Sequence, residues 1–168
     1  MSFLHRISDA LIRTALQREP DFIIGGADNP YLLRWWLLPR NPLLNVYLHQ
    51  VLRSDDDRAL HCHPWCNVSI ILAGSYTERV PLNQSQANGF DYVEGYTRDL
   101  RRTSGDITFR LGHWRHRLIK SDSRTCWTLF ITGPVYRRWG FWCRTGWVHW
   151  KKFVDTRDKG SIGQGCGA

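Results

Sequence analysis

Residues 61–74 read HCHPWCNVSIILAG, and this stretch decides the fold. His61 and His63 stand two positions apart, so on a β-strand their imidazole rings point to the same face and can share one metal ion. The pair alone is a weak signal, because two such histidines can equally well be packed side by side in a core. The interpretation therefore depends on what the rest of the chain adds.

A second segment, residues 105–116, reads GDITFRLGHWRH and places His116 eleven residues after Gly105. In order and separation the two segments resemble the two motifs of the cupin superfamily. The first of those motifs has two histidines flanking one residue, then a glutamate and a glycine. The second begins with a glycine and carries its histidine eleven residues later. Here Asn67 stands at the glutamate position and Gly74 at that of the glycine.

The resemblance covers residues 45–132 and implies an all-β fold, a cupin jelly-roll β-barrel. It also implies one divalent metal ion, held by His61, His63 and His116. Three neutral histidines suit Fe(II), Zn(II), Ni(II) or Mn(II), and Fe(II) is the metal expected if the protein is an enzyme. Segments 34–40 (RWWLLPR) and 127–134 (WTLFITGP) are similar to those of uncharacterised bacterial and phage cupin-like proteins.

Three positions depart from the motifs. Asn67 replaces the usual carboxylate ligand, and Leu111 and His113 replace the proline and the second glycine of the second motif. The site then has one negative charge fewer, and Asn67 is expected either to bind the metal weakly through its carbonyl oxygen or to hydrogen-bond a metal-bound water. A degenerate cupin that has lost its metal is the alternative.

Hydrophobic periodicity predicts one helix followed by many short strands. Apolar residues at helical spacing mark an amphipathic helix over Phe3–Gln17, within an N-terminal helical segment 1–18. We expect a single domain over residues 1–159 and, because residues 160–168 contain four glycines and no apolar cluster, a disordered tail. The predicted strands are Tyr31–Leu38, Asn45–Arg53, His61–Leu72, Tyr76–Val80, Phe90–Arg98, Ile107–Leu111, His116–Lys120, Thr125–Thr132 and Arg138–Cys143, with Trp147–Val154 a closing helix or strand.

Strand parity predicts which side chains face the barrel interior. If His61 and His63 point inward, the same face carries Asn67, Ser69, Ile71 and Ala73, and the opposite face carries Val68, Ile70 and Leu72. A strand that is apolar on both faces is covered on both. We therefore expect either the N-terminal helix or a second subunit, in a homodimer, to lie against the outer face.

Further pocket residues are predicted on neighbouring strands. Tyr47 and His49 share a strand face that is polar enough to line a water-filled pocket, and His49 is a candidate fourth metal ligand. Arg110 stands close to His116, as do Arg115 and Arg117; an arginine facing the cavity would select a carboxylate or phosphate, whereas the alternative is a solvated surface charge. No catalytic acid or base is assigned.

Composition limits the partners and the cellular compartment expected for the protein. The formal charge of +8 favours anionic partners, but no basic run or nucleic-acid motif occurs, so nucleic-acid binding is the less favoured interpretation. No apolar stretch is long enough to span a membrane. Five cysteines do not suggest a disulfide framework, which favours a reducing, cytoplasmic compartment. A Cys/His zinc site with Cys62 and Cys66 would lack its second cysteine pair.

Three functional hypotheses follow. The first is a metal-dependent enzyme, dioxygenase-like, acting on a small polar or anionic molecule. The second is a non-catalytic module that binds or senses such a ligand. The third is a nucleic-acid-associated protein that uses the positive charge.

Overall fold

The computed structural model describes residues 3–55, 59–84, 96–120, 124–157 and 161–167. Within these ranges one helix precedes a long series of short strands, and a one-turn helix lies near the end. The elements are α1 (Phe3–Ala15), β1 (Phe22–Ile24), β2 (Leu32–Trp36), β3 (Asn45–Val51), β4 (Leu60–His61), β5 (Asn67–Ala73), β6 (Ser75–Pro81), β7 (Thr97–Thr103), β8 (Ile107–Arg110), β9 (Arg117–Ile119), β10 (Cys126–Thr132), β11 (Gly140–Cys143), β12 (Gly146–His149), α2 (Trp150–Phe153), β13 (Val154–Asp155) and β14 (Ser161–Ile162).

The strands form two facing layers. One layer is a six-stranded antiparallel sheet in the order β1-β2-β3-β10-β5-β8. The other is made of two three-stranded sheets, β12-β11-β4 and β7-β6-β9, which a backbone bridge between His61 and His116 joins into one surface. The predicted all-β fold with an N-terminal helix is confirmed. No described helix has the length and apolar character needed to cross a membrane.

Side chains from both layers meet in the barrel interior. One buried cluster joins residues of the six-stranded sheet to Tyr76 of β6; its other members are Leu32, Val51, Ile71 and Cys126. The inward positions predicted for Asn67, Ser69 and Ile71 agree with their burial. Ala73 is the exception, because the register between β5 and β10 shifts before it, and this residue packs in the outer cluster instead.

Helix α1 covers part of the outer face of the six-stranded sheet. Ala15 packs there with Trp35, Leu48 and Trp127, and Leu72 lies against the same cluster. Further along β5, Val68 and Ile70 pair with Phe109 and Ile107 of the edge strand β8. Those two β8 side chains remain 54% and 68% exposed, so the helix does not cover this end of the sheet.

Several predicted elements differ in extent. The predicted strand His61–Leu72 is two strands, β4 and β5, and the residues between them, His63 included, belong to neither. The predicted strand Phe90–Arg98 lies mostly outside the described residues; the observed strand, β7, begins at Thr97 and continues to Thr103. The closing segment Trp147–Val154 is both strand and helix, because β12 leads directly into α2. The short strand β1 was not predicted, since three residues are too few for a period of two to be recognised.

The C-terminal tail is held against the body of the protein rather than disordered. Strand β14 pairs with β13, and Cys166 is disulfide-bonded to Cys143 of β11. Composition predicted disorder because glycines dominate the tail, but its anchor is covalent and does not need apolar neighbours. One disulfide is therefore present where the cysteine pattern suggested no disulfide framework, and that pattern no longer favours a reducing compartment.

Loss of this disulfide should destabilise the protein. The bond closes a loop with a sequence separation of 23, for which chain-entropy arguments give a contribution of about 3 kcal/mol. We expect Cys166→Ser to lower the free energy of unfolding in urea by about this amount. Reduced wild-type protein should match the variant, and Cys66→Ser, a half-exposed free cysteine, should stay near the oxidised wild type. Equal stability of oxidised and reduced wild type would contradict the prediction.

Candidate metal centre

A backbone pairing places His61 and His116 opposite each other. The amide of His61 donates to the carbonyl of His116 at 2.9 Å, and the amide of His116 donates to the carbonyl of His61 at 3.0 Å. Two residues that exchange both backbone hydrogen bonds across an antiparallel pair project their side chains to the same face. The last histidine of the second motif is thus brought directly beside the first histidine of the first motif.

His63 is positioned by a second set of backbone contacts. Its amide donates to the carbonyl of Gly112 at 2.9 Å, and the guanidinium of Arg137 donates to the carbonyls of both residues. Gly112 has to be small here, because a Cβ atom would lie 2.6 Å from the hydroxyl of Tyr136, 2.9 Å from the carbonyl oxygen of His63 and 3.0 Å from that of Trp65. The two motif segments therefore touch backbone to backbone at this point.

The three imidazoles converge on one space. Their candidate ligand atoms all lie within 4.8 Å of one another, and the Nε2 atoms of His63 and His116 are 2.9 Å apart. Two nitrogen ligands at 2.0–2.1 Å from one ion, in adjacent positions at a right angle, would be about 2.9 Å apart. The cluster could therefore hold a divalent metal ion, and no other described group of three such side chains lies close enough together to do so.

A buried carboxylate orients one of the three rings, and a second carboxylate lies near another. Oε1 of Glu78 lies 2.8 Å from Nδ1 of His116, and Oδ2 of Asp55 lies 3.6 Å from Nδ1 of His61. An ionised carboxylate only accepts hydrogen bonds, so His116 carries its proton on Nδ1 and leaves the Nε2 lone pair free. This arrangement, in which a carboxylate holds the far nitrogen of a histidine, is typical of metal ligands in proteins.

The protonation states suit metal binding. Burial holds the pKa of His61 and His63 below the ordinary value of 6.5, and it lowers the pKa of His116 to about 4. Although burial by itself raises the pKa of Glu78, hydrogen bonds and charges from His116 and Arg110 hold it well below its ordinary value. At neutral pH the rings are uncharged and the carboxylate is ionised, which is the state that a cation requires.

Glu78 was not among the residues predicted from the sequence. Its side chain is 1% exposed, and its carboxylate is hydrogen-bonded to three side chains. Besides His116 it accepts hydrogen bonds from Arg110 at 2.6 Å and from Arg102 at 2.8 Å. A signal was present: Tyr76, Glu78 and Val80 alternate along β6, so one carboxylate stands on an otherwise apolar face. A carboxylate in that setting is buried only when it has charged partners.

Asn67 and Arg110 lie side by side next to the histidines. Asn67 is 2% exposed, and its Oδ1 accepts a hydrogen bond from Nη1 of Arg110 at 3.4 Å. Nδ2 of Asn67 and Nη2 of Arg110 are buried and have no hydrogen-bond partner among the described residues. Arg110 is therefore not a solvated surface charge. Its positive charge is neutralised by Glu78, and whether Asn67 contacts a metal stays a prediction.

A cavity of about 630 Å³ opens in front of the cluster. This volume is in the usual range for small-molecule sites. Tyr47 and His49 line it, but His49 is not part of the histidine cluster: its Nε2 accepts a hydrogen bond from Nε of Arg34 at 2.8 Å. Aromatic rings form much of the remaining wall; they are Phe22, Tyr31, Trp36, Trp65, Tyr76, Phe130, Trp139, Phe141, Trp150 and Phe153.

The cysteines beside the histidines do not join them. The thiol of buried Cys62 donates to the carbonyl of Gly140, and the thiol of Cys66 lies 3.6 Å from the hydroxyl of Tyr136. Neither belongs to the group of described side chains that could hold a metal. The alternative of a Cys/His zinc site therefore has no support in the described residues.

Enlarging Gly112 should loosen the site. We expect Gly112→Ala to displace the backbone of His63, because the new methyl group would overlap two carbonyl oxygens, and to weaken metal binding about 10- to 100-fold. The overpacking should also lower the free energy of unfolding by about 1–3 kcal/mol. Metal titration and urea unfolding measure the two effects.

Gly133→Ala is the matched control for that substitution. Its Cβ would meet only the carbonyl oxygen of Cys66, at an ordinary contact distance of 3.8 Å. Wild-type affinity in Gly112→Ala, or an equal loss in Gly133→Ala, would contradict the role assigned to Gly112.

Comparison with solved structures found many similar chains, and the three that follow are of low sequence identity. DMSP lyase DddQ from Ruegeria pomeroyi DSS-3 is 18% identical, with a TM-score of 0.51 over 79% of this chain and 64% of that one. A mannose-6-phosphate isomerase-like protein from Ralstonia eutropha JMP134 is 18% identical, with a TM-score of 0.49 over 68% and 93%. A protein with a double-stranded β-helix domain from Klebsiella pneumoniae is 14% identical, with a TM-score of 0.48 over 70% and 89%.

Comparisons by sequence returned nothing further. No protein-family model matches the chain. No curated protein matches it either. At the identities found among solved structures, the likeness concerns the fold alone.

Proposed function

Because this chain has a cupin-superfamily fold with three histidines converging in its cavity, we propose that it is a metal-dependent enzyme, dioxygenase-like, acting on a small polar or anionic molecule. The observation that carries the proposal is the convergence of three uncharged imidazoles at the wall of the cavity of about 630 Å³. Three protein ligands leave further coordination positions open, as catalytic metal sites require.

The ligands proposed are His61, His63 and His116, with Fe(II) as the metal; Zn(II), Ni(II) and Mn(II) are the alternatives. Bound Fe(II) would supply the one-electron chemistry by which dioxygen is activated. The chain itself supplies the orientation of the ligands. Glu78 holds the Nδ1 proton of His116, and Trp65 stacks on the ring of His63 at 4.6 Å between ring centroids.

The cavity wall favours a substrate that is enclosed and shielded from water. Phe130 packs edge-on against Trp65, with the ring centroids 5.5 Å apart, and both line the cavity next to His63. Removing water from such a space strengthens the interactions of any charged group placed in it. The substrate therefore exchanges hydration for contacts with aromatic rings and buried charges.

A binding or sensing module without turnover is the second candidate. The neutral Asn67 at the position of the usual carboxylate favours it, because a site with less negative charge stabilises an oxidised metal less well. Turnover separates the two functions: an enzyme consumes dioxygen steadily in excess over protein, whereas a binding module consumes no more than the oxidation of its own Fe(II) requires.

The test is a measurement of metal content and dioxygen uptake. Untagged protein is analysed for metals as purified and after anaerobic addition of Fe(II), then supplied with candidate organic anions in an oxygen electrode. Near-stoichiometric iron with continued uptake supports the enzyme. Stoichiometric metal without uptake for any substrate supports the binding module, and no metal after addition of iron, zinc, nickel or manganese would overturn the enzyme.

Assembly as a homodimer also belongs to the proposal. The exposed side chains of Ile107 and Phe109, next to Val68 and Ile70, form an apolar face that a second copy of the chain would cover. The cytoplasmic location stays a prediction, and nucleic-acid binding stays the less favoured hypothesis.

A further inference from the structure

Arg34 differs from the other arginines of the cavity wall in how its charge is held. It lies on the inward face of β2 between Leu32 and Trp36, and all three residues line the cavity. Its Nε donates to Nε2 of His49 at 2.8 Å, and its guanidinium lies over the ring of Tyr47, 4.7 Å from the centroid. Among the described residues no carboxylate pairs with it, and its two terminal amino groups have no hydrogen-bond partner.

The partner of Arg34 is neutral. Burial, followed by the charge of Arg34, lowers the pKa of His49 well below its ordinary value. Its ring is fixed between Tyr47 and Phe130, with centroid distances of 5.9 and 4.9 Å. His49 therefore orients the guanidinium without neutralising its charge.

The remaining charges leave this part of the cavity positive. Arg110 is ion-paired with Glu78, which Arg102 shares, and Arg157 is paired with Asp155. Asp55 is the one carboxylate among the described residues of the wall; it accepts a hydrogen bond from the amide of Leu118 at 2.8 Å and lies beside His61. Arg40, which lies over the ring of Trp36, adds a second positive charge near Arg34 and contributes to lowering its pKa, whose main cause is burial.

Apolar surface connects Arg34 with the histidine cluster. Phe130 stacks on His49 at 4.9 Å and lies 6.3 Å from His63, in each case between ring centroids. A ligand that contacts both Arg34 and the histidine cluster must therefore place an apolar body against Phe130.

We propose that Arg34 binds the carboxylate of an organic anion whose apolar body lies against Phe130 and whose far end meets the three histidines. The inference rests on the function proposed above and names its substrate class, a monoanionic carboxylate with an aromatic or similar apolar body. A planar guanidinium with two unused amino groups matches the two oxygens of a carboxylate. His49 is a positioning residue for Arg34, and Arg34 is the residue that determines specificity.

The test compares a carboxylate with its uncharged amide. 3-Phenylpropionate and 3-phenylpropionamide are titrated by calorimetry into the protein as purified and into the same protein after chelation. The two molecules share size and ring, so the amide measures apolar burial alone. We expect the wild type to bind the carboxylate about 10- to 100-fold more tightly than the amide, the range expected for a hydrogen bond to a charged group.

Two variants assign the preference to Arg34. Arg34→Gln should lose the preference, leaving the two ligands within about twofold of each other, while Arg34→Lys should retain part of it because the charge remains. Arg138→Gln makes the same change of charge at an exposed residue that does not line this cavity, and it should behave as wild type. Circular dichroism and the unfolding midpoint show that each variant is folded.

Other outcomes overturn the inference. It is wrong if the wild type does not prefer the carboxylate, if Arg34→Gln keeps the preference, or if Arg138→Gln loses it. Failure of the proposed function is distinguishable, because the chelated protein still reports on Arg34 and because Arg34→Gln should contain as much metal as the wild type. A chain that binds no metal but prefers the carboxylate through Arg34 would sink the enzyme and keep the carboxylate site.

Discussion

Metal binding should be abolished when His61 and His116 are both replaced by alanine. The two rings supply two of the three convergent ligands, and the remaining His63 would have to bind an ion alone. We expect the content to fall from about one ion per chain to background, since structural and catalytic sites need three or four protein ligands. Elemental analysis of variant and wild type, loaded in parallel with Fe(II), measures the loss.

His49→Ala is the matched control for the double variant. His49 is also buried and lines the same cavity, but its ring pairs with Arg34 and is not in the cluster. It should retain the full metal content although it also loses a buried imidazole ring from the same cavity. Equal metal loss in both proteins would mean that a disturbed cavity, rather than lost ligands, explains the result, and retained metal in the double variant would place the ion elsewhere.

Replacing Glu78 with alanine should strongly destabilise the protein. Its carboxylate faces Arg110, which is 3% exposed, together with Arg102 and His116. Removing one member of a buried ion pair leaves the other charge uncompensated, at a cost of about 3–5 kcal/mol. Urea unfolding of the metal-free protein measures this loss without a contribution from bound metal.

Glu78 should also influence the metal itself. Loss of a carboxylate that holds the far nitrogen of a histidine ligand reduces metal affinity about 10- to 100-fold. Glu78→Gln keeps the shape and one acceptor oxygen, so we expect a smaller loss of stability than in the alanine variant. The affinity of Glu78→Gln should nevertheless fall, because the negative charge is gone.

An exposed ion pair on the neighbouring strands provides the control for Glu78. Asp99 accepts two hydrogen bonds from Arg79, at 2.7 and 2.8 Å, but both side chains are well exposed. Such pairs contribute about 0–1 kcal/mol, so Asp99→Asn should change the stability little. If Glu78→Ala is no more destabilising than Asp99→Asn, then the buried ion pairs of Glu78 do not stabilise the protein more than an exposed pair does.

Spacing along the chain was enough to find the histidine cluster. The interval between His61 and His63 puts both on one side of the chain. The interval of eleven residues from Gly105 to His116 matches the position of the histidine in the second motif. Alternation also predicted that Asn67, Ser69 and Ile71 face inward. These are local properties, because the side-chain direction on a strand repeats every two residues. The prediction for Ala73 was wrong where a register shift interrupts that period.

Contacts across the barrel could not be predicted in this way. Glu78 lies 38 positions before His116, and Arg34 lies 15 positions before His49; only the pairing of strands and the closure of the two layers bring each pair into contact. The bond from Cys143 to Cys166 likewise depends on where β14 folds back on β13. Periodicity determines which way a side chain points, whereas the tertiary structure alone decides which charged or reactive groups it meets there. The spacing of residues was therefore enough for the fold class and for the cluster of histidines. Only the tertiary structure shows how those rings are held, and that the charge of Arg34 has no carboxylate partner among the described residues.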